Sequence, residues 1–265
     1  MATQDTAFRV IGVIHLLPLP GTPRGDYALS TVVERAIIDA KALKNGGVDT
    51  AIIENFGDAP FQRGTVEPHV VASLTYIASI IVRETGLRLG INILRNDAMA
   101  ALGVALAVRA EFIRVNIHTG AAWTDQGLIQ GNAYQTLMYR KQLGLQTAIA
   151  ADILVKHASS AGNWSLIDAA KDALSRGGAS HLIITGSATG SVVDWAAIQR
   201  LRETLPSASL WIGSGMTPDQ LPQAKRFVQA VIVGTYFHTN GNINQALDTE
   251  RIGQFMAAVN QTTDP

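Results

Sequence analysis

An alternation of short apolar runs with longer amphipathic segments, repeated eight times, constrains this chain more than any other feature. Each run is rich in Val, Ile and Leu and is followed by a helix-like segment. Strands separated by helices favour parallel pairing through right-handed crossovers. The strand-like segments are residues 9–15, 49–54, 88–93, 112–116, 147–152, 181–185, 210–212 and 231–233.

Eight strand–helix units predict a single α/β domain, a (βα)8 TIM barrel over residues 1–265. Residues 1–8 and 260–265 are expected to be short flexible tails. An open doubly wound sheet is the alternative for the same order of elements. No linker or low-complexity segment interrupts the pattern, so a second domain is not expected.

Capping residues and glycines predict the ends of the helices. Thr31 and Glu34 have the spacing of a capping box at the start of the first helix. Residues 118–131 are predicted to form a long loop, and residues 244–259 a closing helix.

The composition excludes several classes of function. The chain is 47% hydrophobic and only 16% charged, which indicates a large buried core. Its 21 basic residues balance its 21 acidic residues, so it lacks the basic surface expected of a nucleic-acid-binding protein. The absence of cysteine excludes disulfides, thiol catalysis and Cys-ligated zinc. With no signal-like or membrane-spanning apolar run, we expect a cytoplasmic protein, and peripheral contact with a membrane surface stays open.

A glycine-rich turn predicts a phosphate site near the C-terminal end. The stretch 210–220 runs from an apolar strand through Gly213-Ser214-Gly215 into a helix start. A second short turn, Gly234-Thr235, follows the next apolar strand in the same way. Such turns present backbone N–H groups to an anion, and the loops after strands seven and eight hold phosphate in many barrels. A tight turn without a ligand is the simpler alternative. The predicted phosphate-binding residues are Thr185, Gly186, Ser187, Gly213, Ser214, Gly215, Gly234 and Thr235.

Nearly every predicted strand ends in a polar residue after an apolar run, and active sites of TIM barrels lie at these carboxyl ends. The candidate catalytic residues are Asp152, Glu54, Asn116, Asn92 and Lys156. The candidate substrate-binding residues are His15, Asn55, Arg95, Asn96, Arg114 and His157.

Strand alternation tests this assignment. If Asn116 points into the barrel, Arg114 and Phe112 point inward with it. A buried arginine needs an anionic partner, and Glu54, Asp152 or an anionic ligand are the candidates.

Each candidate also has a structural interpretation. Asp152 could cap a loop, Lys156 could be an exposed loop lysine or the Schiff-base lysine of a lyase or aldolase, and His15 could be a packed histidine at the end of the barrel. Glu54, Asp152 and His15 could bind a metal, but no ligand spacing supports it. We therefore predict neither a metal nor a cofactor.

Long motifs over nearly the whole chain resemble those of the BtpA/SgcQ family. The matching segments are residues 10–21, 54–61, 90–97, 112–116, 125–129, 151–157, 184–190 and 213–215. The resemblance implies a phosphate-binding barrel related to ribulose-phosphate-binding enzymes. Cyanobacterial members are linked to accumulation of photosystem I and associate peripherally with thylakoids, whereas enteric members are described only as candidate nucleosidases or sugar-metabolism proteins.

Two functions follow as hypotheses. The first is a hydrolase or transferase that acts on a phosphorylated sugar or nucleoside-like metabolite. The second is a non-catalytic biogenesis or stability factor for photosystem I at a membrane surface. In either case we expect a phosphorylated small molecule as ligand, and a homo-oligomer.

One segment departs from the family pattern. Members carry a lysine a few residues after the position of Thr235, where this chain has Tyr236-Phe237-His238. A weaker or pH-dependent phosphate clamp is the expected consequence.

Overall fold

Eight parallel strands close into a barrel in the computed structural model, which describes residues 8–153, 158–160, 164–185 and 193–262. In chain order the strands are β1 (Arg9–His15), β2 (Thr50–Glu54), β3 (Arg88–Asn92), β4 (Phe112–Val115), β5 (Ala121–Thr124), β6 (Gly127–Gln130), β7 (Ala148–Ile153), β8 (Ala158–Ser160), β9 (His181–Ile184), β10 (Leu210–Ile212) and β11 (Ala230–Val233). The order around the barrel is β1, β2, β3, β4, β7, β9, β10 and β11. Parallel pairing of β11 with β1 closes the ring, with Arg9 opposite Ala230.

An α-helix follows each barrel strand, and the predicted TIM barrel is confirmed. The helices are α1 (Leu29–Asn45), α2 (Pro68–Thr85), α3 (Ala98–Val108), α4 (Ala133–Gln142), α5 (Leu166–Ser175), α6 (Trp195–Thr204), α7 (Leu221–Phe227) and α8 (Thr249–Gln261). None of the helices in the described part of the chain has the length and apolarity that crossing a bilayer requires.

Two predicted helix starts are wrong. Helix α1 begins at Leu29 with Ala28 as its N-cap, so Thr31 already lies in the first turn and makes no capping box. Helix α8 begins at Thr249 and not at Asn244. The Asp248 carboxylate caps it by accepting hydrogen bonds from the amides of Glu250 and Arg251. Since α8 ends at Gln261, the first two residues of the segment predicted as a tail are helical.

The segment 118–131, predicted as a loop, contains a β-hairpin. Strands β5 and β6 pair antiparallel from Ala121 opposite Gln130 to Thr124 opposite Gly127. Gly127 adopts a φ of +90° at the turn, which suits glycine. Strand β8 adds to the other side of β5, which makes a small sheet beside the barrel. The alternation signal was too short in both strands to be read from the sequence.

The interior of the barrel is filled by every second residue of its strands. Phe112 and Trp211 meet edge to face there, with ring centroids 5.1 Å apart. Gly90 makes room for this pair, because a Cβ at that position would lie 2.2 Å from the Phe112 ring. The buried interior side chains are Ile11, Val13, Ile52, Phe112, Ala150, Ile183, Trp211, Ala230 and Ile232. A larger apolar cluster lies between the strands and the helices.

We predict that Gly90→Ala lowers the free energy of unfolding by about 2 kcal/mol, because the added methyl group collides with Phe112. Phe112→Leu removes part of the ring that the new methyl group meets. In a double-mutant cycle measured by urea unfolding, the double variant should therefore be more stable, by at least about 1 kcal/mol, than the sum of the two single losses predicts. The control is Gly103→Ala in α3, where nothing lies within 4 Å of the new Cβ. That variant should be more stable by about 0.5–1 kcal/mol. A Gly90→Ala protein as stable as the parent would contradict this packing.

A second prediction concerns His181, which stacks on Trp211 at 4.3 Å and whose Nδ1 lies 2.8 Å from Ser209 Oγ. Burial, aided by the positive charge of Arg9, lowers the pKa of His181 from 6.5 to about 4. Between these pH values the unfolded chain binds more protons than the folded chain, so stability falls as the pH falls from 6.5 to 4.

The loss from this one group should be on the order of 3 kcal/mol. It is measured as the difference between the parent and His181→Gln in urea unfolding at pH 7 and pH 4. The pKa values of His118 and His238 are also lowered by burial, but both histidines remain in the variant, so the difference isolates His181. Parallel pH profiles for the two proteins would show that His181 is not buried as a neutral ring.

Candidate active site at the carboxyl end of the barrel

The alternation that fills the barrel interior also builds the site above it. His15 lies two residues after Val13, Glu54 two after Ile52, and Arg114 two after Phe112, so these polar side chains point the same way as the apolar ones. They line a cavity of about 680 Å³ at the carboxyl ends of the strands. Other predicted residues that line it are Asn92, Arg95, Asn116, Gly213, Ser214, Gly215, Gly234 and Thr235.

A buried ion pair lies at the floor of this cavity. Arg114 donates from Nε to Asp152 Oδ1 at 3.2 Å and from Nη2 to Asp152 Oδ2 at 3.2 Å. Asn116 donates to Asp152 Oδ2 at 2.6 Å. This confirms the prediction that Phe112, Arg114 and Asn116 face inward and that Arg114 has an acidic partner.

Asp152 is covered by the groups that it binds. Its side chain has 0% exposure, against 7% for Arg114, and it is not among the residues that line the cavity. Its predicted role as a catalytic base is therefore not the one that this geometry favours. Asp152 instead fixes the position of Arg114 and Asn116.

The positive charge of Arg114 is held firmly. Burial alone would lower its pKa, but the carboxylates of Asp152 and Glu54 outweigh this and raise the pKa of Arg114 above its usual value. Asn116 Oδ1 is buried and has no hydrogen-bond partner among the described residues. The floor thus offers a permanent cation and an unused acceptor.

Glu54, unlike Asp152, lines the cavity. Its Oε2 accepts from Asn92 Nδ2 at 2.9 Å, and its Oε1 lies 3.5 Å from His15 Nε2. The two partners lie on β3 and β1, the strands on either side of β2. Of the two predicted catalytic acids, Glu54 is therefore the one placed to act on a ligand.

The two glycine turns meet beside this group. The amides of Ser214, Gly215, Gly234 and Thr235 donate no hydrogen bond to another described residue, and Gly215 has a φ of +76°. The Gly213 amide, in contrast, donates to Ile184 O at 2.8 Å, so it is not available to an anion.

Two buried hydroxyls in this region lack partners. Ser214 Oγ and Thr185 Oγ1 make no hydrogen bond within the described part of the chain. A buried hydroxyl without a partner is unfavourable, so a ligand or water there would satisfy both. Gly186 and Ser187, also predicted to bind phosphate, lie outside the described residues.

Two predicted substrate-binding residues have structural roles instead. Asn55 accepts from Leu94 N at 2.7 Å and donates to Leu94 O at 3.1 Å. Asn96 makes the same two-way contact with the main chain of Ile117, at 2.7 and 2.9 Å. Neither asparagine lines the cavity, and both hold the loops that follow β3 and β4.

Of the remaining predicted residues, the structure places Arg95, which lies on the hairpin side of the cavity. Arg95 lines the cavity and donates to Asp125 Oδ1 at 2.8 Å, at the tip of the β5–β6 hairpin. Lys156 and His157 lie outside the described residues. No group of three or more potential metal ligands occurs in the ranges that the structure describes.

Sequence reasoning missed Arg251 and the aromatic wall of the cavity. Arg251 lines the cavity, stacks its guanidinium 4.7 Å from the centre of the Tyr236 ring and donates from Nε to Tyr236 O at 2.9 Å. It was missed because the predicted start of α8 placed it mid-helix, whereas it lies in the first turn, beside the Gly234-Thr235 turn. Arg251 thus supplies a cation beside the Gly234-Thr235 turn. Phe56, whose ring meets that of His15 edge to face at 5.0 Å, and Phe61 also line the cavity.

A family model described as the BtpA family matches residues 6–261 of this chain. The chain belongs to the BtpA family. It is 44% identical over 257 residues to the photosystem I biogenesis protein BtpA of Synechocystis, covering 97% of this chain and 90% of that protein. It is also 40% identical to an uncharacterized protein of Thermococcus kodakarensis, over 91% of each chain, and 33% identical to one of Caenorhabditis elegans, over 95% of this chain and 92% of that one.

Solved structures that resemble this BtpA-family chain are barrels with low sequence identity. Thiamine phosphate pyrophosphorylase from Pyrococcus furiosus matches with a TM-score of 0.58 and 12% identity, over 97% of this chain and 98% of that one. Phosphoribosylanthranilate isomerase from the same organism matches with a TM-score of 0.57 and 9% identity, over 96% and 98%. At such identities the likeness shows the fold alone.

We predict that Asp152→Asn lowers the free energy of unfolding by about 3–5 kcal/mol, because it leaves the buried Arg114 without its main counterion. Asp125→Asn is the matched control, since Asp125 pairs with Arg95 at an exposed position, and it should change stability by less than about 1 kcal/mol. Urea unfolding of both variants measures the difference. Equal, small effects would show that water reaches the Arg114–Asp152 pair.

Proposed function

We propose that the cavity binds a phosphorylated sugar or nucleoside-like metabolite and that the protein cleaves or transfers the group at its anomeric carbon. The observation that carries the proposal is the pair of adjoining turns whose amides, at Ser214-Gly215 and Gly234-Thr235, donate no hydrogen bond to another described residue. The buried, unpartnered hydroxyl of Ser214 lies in the first of these turns. Amides that converge in this way bind the oxygens of a phosphate group.

Two arginines support an anionic ligand. Arg114 lies under the first turn, with Nη2 3.6 Å from the point where a Cβ of Gly213 would be. Arg251 lines the cavity beside the second turn and is held in place by Tyr236. A phosphate there would be bound by main-chain amides and by guanidinium groups, which suit phosphate geometry.

The rest of the cavity fits a ligand with a sugar and a ring. Asn92 and Asn116 line its middle and offer amide groups to sugar hydroxyls. Phe56, Phe61 and Leu94 add apolar surface to the lining of the cavity. The volume of about 680 Å³ exceeds what a phosphate group alone needs.

Glu54 has the position for the chemical step. In a hydrolysis, the bond from the anomeric carbon to the leaving group breaks as water adds to that carbon. Glu54 takes the proton from the water, and a proton from solvent or an acid of the site joins the leaving group, so that atoms and charge balance. The negative charge of Glu54 also stabilises the positive charge that develops on the sugar ring.

The comparisons are consistent with this proposal without deciding it. The names of the similar solved structures include enzymes of phosphorylated substrates, such as thiamine phosphate pyrophosphorylase and orotidine 5′-phosphate decarboxylase. These proteins share the fold with this chain, and the reaction here is inferred from the cavity.

We predict that ribose 5-phosphate and uridine monophosphate raise the melting temperature by roughly 5–10 °C at concentrations near 100 times Kd. Ribose and uridine should have a much smaller effect, because they lack the phosphate group. Thermal-shift measurements with these four compounds and inorganic phosphate test the proposal. No stabilisation by any phosphorylated compound at millimolar concentration would count decisively against it.

Ser214→Ala separates binding from folding. It removes a buried hydroxyl without a partner, so the ligand-free protein should keep its melting temperature or gain about 1–2 °C. The shift caused by the phosphorylated ligand should at the same time fall by half or more. The control is Ser79→Ala on α2, whose exposed hydroxyl bonds Thr75 O at 2.7 Å, and which should leave the ligand-induced shift unchanged.

A second candidate function follows from the name of the Synechocystis relative. That protein is called a photosystem I biogenesis protein, so this chain is tested for support of photosystem I in a Synechocystis strain that lacks its own BtpA. Restoration of photosystem I by the parent and equally by Glu54→Gln would favour a role without catalysis. Restoration by the parent alone would tie the role to the cavity.

A further inference from the structure

Two histidines from distant parts of the chain meet at the edge of the cavity. His15 ends β1, and His238 follows β11, which is the neighbouring strand in the closed barrel. His15 Nδ1 lies 3.2 Å from His238 Nε2, with the ring centroids 5.4 Å apart and an angle of 29° between the ring planes. His238 is 1% exposed and belongs to no part of the site described above.

The carbonyl oxygen of Gln245, next to His238, determines where the protons of this pair lie. His238 Nδ1 lies 2.6 Å from Gln245 O, and a carbonyl oxygen can only accept, so Nδ1 carries a proton. Burial lowers the pKa of His238, although the Gln245 carbonyl and Asp39 act in the opposite direction. A neutral His238 then has only a lone pair on Nε2. His15 must therefore donate to it from Nδ1.

We propose that His238 is a positioning residue that holds His15 in the Nδ1–H tautomer. His15 then exchanges protons through Nε2, which faces Glu54 and the proposed phosphate site at the turns Ser214-Gly215 and Gly234-Thr235, called the anion subsite below. This inference rests on the proposed function for the purpose that it assigns to the pair. The outer nitrogen of His15 is 3.5 Å from Glu54 Oε1. A Cβ on Gly234 would lie 3.0 Å from His15 Cε1 and 3.6 Å from Nε2, which places this ring edge against the second glycine turn.

The arrangement gives His15 and Glu54 a shared role. Neutral His15 presents a lone pair on Nε2, and protonated His15 presents an N–H between the Glu54 carboxylate and the anion subsite. In the proposed hydrolysis, protonated His15 is the acid that delivers a proton to the leaving group. Glu54 takes a proton from the attacking water and then passes it to His15 Nε2. This transfer restores the protonated histidine and the Glu54 carboxylate. A histidine whose inner nitrogen is fixed by a third group is a recurrent arrangement in acid–base catalysis.

Within the described part of the chain, the charged groups around the pair come from four elements. Their contributions differ in sign, because acids favour a protonated histidine and arginines disfavour it. The groups are Glu54 on β2, Arg35 and Asp39 on α1 behind His238, Arg114 on β4 across the cavity floor, and Arg251 at the start of α8.

The tautomer is measured by two-bond ¹⁵N–¹H correlation spectra of the protein labelled with ¹⁵N-histidine. At a pH above its titration, His15 should show a protonated Nδ1 and an unprotonated Nε2, the reverse of the tautomer that free histidine prefers. With six histidines in the chain, His15→Gln and His69→Gln spectra assign the signals. A wild-type His15 that carries its neutral proton on Nε2 would overturn the inference.

Two variants of His238 test its role. His238→Phe removes the acceptor and should convert His15 to a mixture of tautomers, whereas His238→Gln retains a side-chain oxygen and should keep Nδ1 of His15 protonated. The same result for both variants would contradict the positioning role. If His238→Phe does not fold, the wild-type spectrum and His238→Gln still decide the question.

Inorganic phosphate separates this inference from the proposed function. Its addition should move the His15 Nε2 signal and raise the pH at which His15 titrates, because the anion binds beside that nitrogen. If the Nδ1–H tautomer is present but phosphate changes nothing, the anion site is wrong and the positioning role stands. If phosphate binds but the tautomer is absent, the positioning role alone is wrong.

Discussion

A guanidinium group buried at the centre of the barrel dictates much of what surrounds it. Moving the charge of Arg114 out of water is unfavourable by several kcal/mol, and only close anions and hydrogen bonds make it tolerable. Asp152 on β7 supplies both carboxylate oxygens, and Glu54 on β2 adds a second negative charge. Asn116, directly after β4, binds the same carboxylate, so three barrel strands, β2, β4 and β7, are linked around one cation. The apolar layer beneath, with Phe112 and Trp211, keeps water away from the pair.

The charges left after this pairing match a particular kind of ligand. Asp152 pairs with Arg114 and Asp125 with Arg95, whereas Glu54 lines the cavity without an arginine within ion-pair distance among the described residues. The glycine turns lie on β10 and β11, separated from Glu54 by β1. The unpaired amides of the two turns therefore lie at the ends of β10 and β11, and the Glu54 carboxylate lies at the end of β2. This separation suits a substrate that carries a permanent negative charge at one end and develops a positive charge at its reacting carbon.

The alternation of side chains along each strand predicts which residues face the barrel interior. It does not predict the hydrogen-bond partners of the polar residues that follow the strands. The alternation from Phe112 to Asn116 predicted three inward positions and an acidic partner for Arg114, because side chains of a strand alternate between its faces. Asn55 and Asn96 looked equivalent to Asn92 and Asn116 in sequence, yet both bind main-chain groups of neighbouring loops. Arg251 and His238 reach the site from segments after β11 whose path depends on tertiary contacts that no local pattern encodes. The same is true of the β5–β6 hairpin, whose strands are too short to show their periodicity.

The coupling of core and site within each strand explains why the site is specified as strongly as the fold. In β1, Ile11 and Val13 fill the barrel and His15 follows with the same parity, while Ile14 packs in the outer apolar cluster. A shift of β1 by one residue would bring Ile14 inward and turn His15 and Val13 away. The loss of apolar packing opposes that shift, so the packing that stabilises the barrel also fixes His15 opposite Glu54. Since β2 and β4 obey the same rule with Ile52 and Phe112, the arrangement of polar groups at the cavity is a consequence of how the apolar residues beneath it pack.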